Sequence, residues 1–277
     1  MPTHKLLHHV LSIRNSKPVC MTLGIDNRCN LNCTFCLVKH REQTQMPLSL
    51  ARQAIDAFPT IRSVELGLGE PTLHPNFAEI VRYIHNKGLK VGMGTNGTML
   101  PKHNKDFWQM FSWLSIGITR FIDNPFQEIP DYDWLPCRHS YILVLHQGTP
   151  SSWEQQLEKF RAKNAGYVSI RLDVDANSKT KARFEDEYPD AVKYQERLLP
   201  YKGICYWACL KPMVYPNGVI YPCCSAKHGD YYRDYRLGMV LNKFNLQPIW
   251  VDCARCGRTE ELSMIHKFLN DPDPQFM

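Results

Sequence analysis

The sequence predicts an α/β fold, a partial (β/α)6 barrel of parallel strands covered by helices, followed by a small cysteine-rich β-hairpin and helix domain. Three observations carry this expectation. Strand-type and helix-period runs alternate through the first 200 of the 277 residues, the mark of βα units. The chemically suggestive segments follow directly after expected strands, where parallel-strand folds place their reactive loops. From about Pro200 the chain becomes rich in Cys, Tyr, Pro and Gly and loses its helical patterns.

Met21–Ile25 is a short apolar run leading into a cysteine-bearing loop. Ser49 is expected to cap a helix over Leu50–Phe58. Ser63–Leu66 reads as the second strand, Asn76–His85 as a helix ending near Gly88, and Leu89–Met93 as the third strand. Trp113–Ile118 is the fourth, with a helix before it. Tyr141–Leu145, a helix over Trp153–Lys163 and Tyr167–Val174 complete the units. Beyond the boundary, Asn217-Gly218 lies between strand-like flanks from Met213 to Tyr221, a hairpin signal. The expected domains are an arm over 1–19, a barrel over 20–200 and a cysteine-rich domain over 201–277.

Composition is that of a soluble globular protein, 44% hydrophobic and 22% charged. No run of 18 apolar residues is present, so no membrane span is expected. The first 17 residues lack a small-residue cleavage site and make a poor signal peptide. A net charge of +6 permits an anionic partner without demanding one. Eleven cysteines in a chain of this length fit metal ligation in a reducing cytoplasm better than a disulfide framework.

The most informative segment is Cys29-Asn-Leu-Asn-Cys33-Thr-Phe35-Cys36. Iron–sulfur cubes are normally held by four thiolates. Three on one tight loop leave an iron open to a substrate or cofactor. Zinc knuckles instead favour CxxC pairs with a second pair downstream. The CxxxCxxC spacing, with Phe35 directly before the last cysteine, closely resembles the signature of the radical S-adenosylmethionine (radical SAM) superfamily. The resemblance implies a [4Fe–4S] cluster whose open iron chelates SAM. It also implies reductive cleavage to a 5′-deoxyadenosyl radical, with a low-potential donor such as flavodoxin or ferredoxin.

Gly67-Leu68-Gly69-Glu70-Pro71 follows the second strand. It lacks the third glycine of a dinucleotide fingerprint, and Pro71 blocks the expected helix start. It resembles the GGEP motif of radical SAM enzymes, with Leu68 in place of the first glycine. That places Gly67, Gly69, Glu70 and Pro71 at the SAM amino group. Thr95-Asn96-Gly97 resembles the TNG segment that approaches SAM, although alone it is only a turn signal. Ser115 or Thr119 would serve the ribose, the register being open. Arg171 suits the SAM carboxylate, and equally an ordinary strand-edge arginine.

Six cysteines follow residue 200: Cys205, Cys209, Cys223, Cys224, Cys253 and Cys256. Their order, with Gly218 five positions before Cys223 and a terminal CxxC, resembles the shortened SPASM or twitch domain. The resemblance implies an auxiliary [4Fe–4S] cluster on Cys205, Cys223, Cys253 and Cys256, with Cys209 and Cys224 as possible substitutes. A zinc ribbon would use the same thiolates. Cys20 and Cys137 read as small buried hydrophobes.

The family chemistry implied is hydrogen abstraction from a substrate carbon. Oxidation of a small molecule, with the auxiliary cluster accepting an electron, is the expectation, as in a compact relative that oxidises a secondary alcohol. Rearrangement of a nucleotide and modification of a peptide stay open. Aromatic and basic residues interleave over Lys227–Arg236, and Lys5, His8, His9, Arg14 and Lys17 add basic groups. This permits a nucleotide or nucleic-acid base as substrate. A solvated tyrosine-rich loop explains the segment more simply, because aspartates interrupt the basic run. A non-catalytic metal-binding module is the alternative of another class, and the GLGEP and TNG segments weigh against it. Asp173, Asp175 and Glu70 are candidate bases by residue type only.

Overall fold

The computed structural model describes residues 17–36, 43–173, 177–187, 199–223, 235–242, 244–256, 262 and 265. Strands β1 (Cys20–Asp26), β2 (Ser63–Leu68), β3 (Lys90–Thr95), β4 (Phe111–Gly117), β5 (His139–Leu145) and β6 (Val168–Leu172) lie side by side in chain order. All five pairings between them are parallel. Right-handed crossovers between strands in consecutive order put every covering helix on the same face. The other face of the sheet is therefore left open.

Burial follows that topology. Met21, Leu23 and Ile25 of β1 are buried, whereas Cys20 and Thr22 between them are half-exposed. Val64 and Leu66 of β2 alternate in the same way with Ser63, Glu65 and Gly67, and Leu114 and Ile116 of β4 with Ser115 and Gly117. One face is dry and the other wet, the period-two signature of a half-buried strand.

The dry face is packed by α1 (Leu48–Asp56), α2 (Phe77–Asn86), α3 (Lys105–Trp108), α4 (Thr119–Asp123), α5 (Trp153–Lys163) and α6 (Ser178–Glu187). In α2 the buried residues Phe77, Ile80, Val81 and Ile84 recur at helical spacing. Ser49 is not the cap of α1. The helix already begins at Leu48 after Pro47, whose φ of −56° suits a helix start, and it has no side-chain cap.

After residue 198 the chain divides its loyalties. Strands β8 (Met213–Val214), β9 (Val219–Tyr221) and β10 (Gly238–Met239) continue the main sheet past β1. β8 runs parallel to β1, and β9 returns antiparallel to it. The expected hairpin is present, built onto the barrel sheet. Its turn closes with Gly218 at φ 80°, the left-handed conformation that glycine adopts without a Cβ penalty. Separately, β7 (Leu199–Cys205) and β11 (Ile249–Cys256) form a two-stranded antiparallel ribbon, with the short α7 (Trp207–Leu210) after β7. Among the described residues no helix is long and apolar enough to cross a membrane.

Candidate active site at the strand ends

The loop after β1 is anchored before its first cysteine. Asp26, fully buried, accepts hydrogen bonds from the Arg28 backbone (2.8 Å), the Arg28 guanidinium (2.9 Å) and Gln45 (3.0 Å). Arg28 also donates to the Leu73 carbonyl at 3.2 Å. The loop after β2 docks on the same segment. The Gly69 amide donates to Asp26 O (3.0 Å) and the Glu70 amide to Arg28 O (2.7 Å). A Cβ at Gly69 would overlap the Arg28 carbonyl, so only glycine permits this approach.

Leu68 stands at φ 75°, a conformation that suits the glycine of the resembled motif. A left-handed L-residue costs about 1–2 kcal/mol. The structure gives a reason to tolerate it. The Leu68 side chain lies over Gly24 and packs against the hairpin cluster of Met213, Tyr215, Val219 and Tyr221.

Glu70 is 1% exposed and joins two loops. Its Oε1 accepts from the Thr72 and Thr95 hydroxyls, and its Oε2 from the Asn96 amide at 2.7 Å. Burial pushes its carboxyl above the ordinary range, and these donors pull it back. Asn96 then reaches the cysteine loop. Its Nδ2 donates to Asn30 Oδ1 (2.8 Å) and lies 3.7 Å from Cys29 Sγ. Asn30 donates in turn to the Thr98 hydroxyl at 2.9 Å. Gly97, at φ 76°, leaves room for Tyr132 beneath the turn.

Cys29, Cys33 and Cys36 are half-buried on this loop. Cys29 Sγ accepts the Leu31 amide at 3.4 Å, and the Cys36 amide donates to Cys33 O at 3.1 Å. The Phe35 ring rests 5.3 Å from that of His146. Three segments far apart in sequence thus meet at the carboxyl ends of β1, β2 and β3. Half-exposed thiols, with amide donors on the Cys29 sulfur, suit a soft metal cluster.

Residues 25–129 match the family described as the radical SAM superfamily. The chain belongs to this superfamily. It is 38% identical over 181 residues to the tungsten-containing aldehyde ferredoxin oxidoreductase cofactor-modifying protein of Pyrococcus furiosus, over 62% of this chain and 46% of that one. It is 31% identical over 205 residues to mycofactocin maturase MftC of Mycobacterium tuberculosis, over 70% of this chain and 49% of that one. The fold is similar to that of Streptococcus suis SuiB bound to precursor peptide SuiA. The TM-score is 0.57 at 13% identity, over 87% of this chain and 67% of that one. The chain spans about half the length of the curated relatives it matches. As a radical SAM protein it is expected to use SAM and a [4Fe–4S] cluster.

Around the radical SAM rim the two ribose candidates separate. Ser115 lies on the open face, paired with Gly94 and Ser140. Thr119 is buried, and its hydroxyl accepts the Val144 amide at 2.8 Å. Arg171 stands on β6, at the opposite edge of the six parallel strands from β1, with its Nε 3.3 Å from Ser169 Oγ. Arg120 of α4, which the sequence reading missed, stands near the Thr-Asn-Gly turn through Tyr132, whose hydroxyl donates to the Gly97 carbonyl at 3.5 Å. Arg120 lies beside the Tyr132 hydroxyl, and its Nε is buried without a partner. Burial pushes the Tyr132 phenol up to about 12, and Arg120 opposes the rise. Two more unforeseen residues, Asp123 and His146, pair at 2.7 Å next to Phe35. The available signal was position for His146 alone, which follows β5 directly, whereas Asp123 ends α4.

The ribbon gathers the second cysteine set. Tyr201 faces Cys253, Gly203 faces Val251 and Cys205 faces Ile249. Directly opposed residues share a face, so Cys205 and Cys253 point to one side. The other side carries Lys202, Ile204, Trp250 and Asp252, which are exposed or half-exposed. Cys205, Cys253 and Cys256 join one apolar group with Leu210 and Val251. Burial first, then the neighbouring thiols, pushes Cys205 up to about 12 and Cys253 up to about 11.

Cys223 packs in the adjoining hairpin group, and Tyr235 touches both groups. Cys209 is fully buried, and its thiol donates a hydrogen bond to the Leu246 carbonyl. Among the described residues no three of His, Cys, Asp and Glu converge as the ligands of a single ion would. A cube is gripped through separate irons and sets a wider spacing. Thiols buried together stay protonated until a metal displaces their protons. Cys224, Asp175, most of Lys227–Arg236 and the basic arm residues Lys5, His8, His9 and Arg14 lie outside the described residues.

Proposed function

We propose that this chain cleaves SAM reductively at a [4Fe–4S] cluster on Cys29, Cys33 and Cys36, and that the 5′-deoxyadenosyl radical takes hydrogen from a substrate carbon in the oxidation of a small biosynthetic molecule. The observation that carries the proposal is the interlock of three loops through Glu70, Asn96 and Asn30. It holds the cysteine loop against the GEP and TNG segments.

In this assignment Gly67 and Ser115 leave the open face bare for SAM. Gly69, Pro71, Thr95 and Asn96 shape the backbone around it, with Phe35 beside the third cysteine. Glu70 acts through the loops it ties together. Arg120 takes the SAM carboxylate in place of Arg171, because an arginine fork with an unpaired buried Nε beside the TNG turn suits a planar anion. Arg171 is left to the substrate. Cys205, Cys223, Cys253 and Cys256 would hold a second cluster, which supplies an electron acceptor when bound. The names of two relatives, a cofactor-modifying protein and a maturase, support a biosynthetic substrate. A low-potential donor such as flavodoxin or ferredoxin would provide the electron. Peptide or nucleotide modification would use the same rim and differ in product.

The test is iron and sulfide per chain after anaerobic reconstitution, on wild type and on a Cys29/Cys33/Cys36→Ala variant, with dithionite-dependent release of 5′-deoxyadenosine on the same samples. The expected result is about eight irons falling to about four, with SAM cleavage lost. Cleavage that persists in the variant overturns the assignment. Zinc in the wild type, with about four irons or fewer, overturns the second cluster and the oxidation that depends on it.

A further inference from the structure

The cysteine loop is held differently on its two sides. On its amino side, Cys29 and Asn30 are tied to Asn96 and Thr98 by hydrogen bonds. On its carboxyl side the contact of note is between rings. Phe35, between Cys33 and Cys36, lies 5.3 Å from His146 at a 41° tilt.

His146 follows β5 directly and is fixed in all respects. Its backbone amide donates to the Thr149 hydroxyl at 2.8 Å. The Gly148 amide donates to Nδ1 at 3.1 Å. The ring proton therefore sits on Nε2, which donates to Asp123 Oδ2 at 2.7 Å. A side chain wanted only for apolar packing has no use for these bonds. They set the plane of the ring, as partners of metal-ligating histidines do.

Asp123, the last residue of α4, is an expensive way to hold a ring. Its Oδ1 is buried and has no hydrogen-bond partner, which a purely stabilising contact would avoid. Local rules broken in this way cluster at functional sites.

We propose that His146, held by Asp123, is a positioning residue that fixes Phe35 and through it the third cysteine of the cluster loop, Cys36. The inference rests on the cluster assignment above. The end of α4 and the strand end of β5 thereby orient a loop that begins at β1. Without the pair, the loop still binds iron, and Cys36 sits at an altered angle.

The test uses the full chain, reconstituted anaerobically, as wild type, His146→Ala, His146→Phe and Asp123→Leu. Iron content, SAM affinity by equilibrium dialysis, and the EPR spectrum of the reduced cluster with and without SAM are measured. Expected is wild-type iron content in every variant. SAM binding should weaken about 10-fold in His146→Ala and Asp123→Leu, with a changed spectral response to SAM. His146→Phe keeps a ring but loses the Asp123 bond, so it should behave like His146→Ala. Wild-type affinity and spectra in His146→Ala overturn the proposal. Wild-type behaviour of His146→Phe does so as well, because packing alone would then suffice. Should His146→Ala fail to fold by circular dichroism, Asp123→Leu decides, since leucine keeps the volume and accepts no hydrogen bond, and its wild-type behaviour overturns the proposal. A wild type that holds no iron instead defeats the underlying cluster assignment, a distinct result.

Discussion

At the rim of the barrel, Cys29, Cys33 and Cys36 are half-exposed on a loop that polar networks hold from several sides. On the carboxyl-terminal ribbon, Cys205 and Cys253 point to one face of two strands, within a small apolar group. The rim is organised by hydrogen bonds to neighbouring strand ends. The ribbon stands apart from the nine-stranded sheet, and an isolated pair of strands is marginal in water. Burial and the neighbouring thiols push Cys205 and Cys253 up, so both stay neutral until a metal displaces their protons. Metal and fold should therefore be coupled at the ribbon and largely uncoupled at the rim.

Stripping metal with a chelator, or making Cys205→Ala with Cys253→Ala, is the strongest way to break this contrast. Amide exchange over residues 199–205 and 249–256 should rise by about 100-fold, that is by about 2.7 kcal/mol of local stability. The amides of Glu70 and Asn96 should keep their protection. Equal loss at both places would show the rim to be metal-dependent as well.

Gly69→Ala attacks the rim itself. The added Cβ overlaps the Arg28 carbonyl, and overpacking of this kind costs about 1–3 kcal/mol. A fall in urea midpoint together with reduced iron at the first site is expected. Unchanged iron would mean that the cysteine loop does not depend on the docked GEP loop.

A pH titration probes the same rim more gently. His74 is buried, its Nε2 bonded to Met46 O at 2.8 Å, and its Nδ1 accepts the Asn76 amide at 3.1 Å. Burial holds its pKa below the ordinary 6.5. The fold thus favours neutral imidazole. Its stabilising contribution is full above the unfolded pKa and is lost as pH falls from there towards the depressed folded value. One such group changes stability by at most about 1.4 kcal/mol per pH unit. Melting temperature should drop over that window in wild type and less steeply in His74→Gln. Parallel curves would assign the slope to other groups.

Leu68→Gly should have the smallest effect. It relieves about 1–2 kcal/mol of left-handed strain and removes an apolar contact of about 1.5–3 kcal/mol. Chemical denaturation should show a net change near zero. A large loss would mean that the hairpin depends on this contact to stay on the barrel.

Much of the barrel was legible in the sequence because its signals are local. Alternation at Met21, Leu23 and Ile25, the helix spacing of α2 and the left-handed Gly218 are each set by near neighbours. The cysteine loop and the segments after β2 and β3 were legible for the same reason. Ser49 misled because Pro47 starts α1 earlier than a hydroxyl cap would. The β7–β11 ribbon was not foreseen, since it pairs segments more than 40 residues apart and β7 carries no strong alternation. Arg120, Asp123 and His146 escaped because their meaning lies in what they meet. A guanidinium beside Tyr132, or an imidazole between Asp123 and Phe35, is created only when separate strand ends come together.

The open face of the sheet has one further consequence. Gly67 and Gly94 leave it nearly bare, with small serines at 115 and 140 beside them. Among the described residues, Thr22, the Trp113 indole laid over Gly92, Ile142, Val144, the Glu65–Lys211 ion pair and Arg171 rise from the rest of it. A floor this plain discriminates poorly by itself. On the proposed function, choice among molecules falls to a handful of replaceable side chains, and a new compound would be accommodated without rebuilding the scaffold.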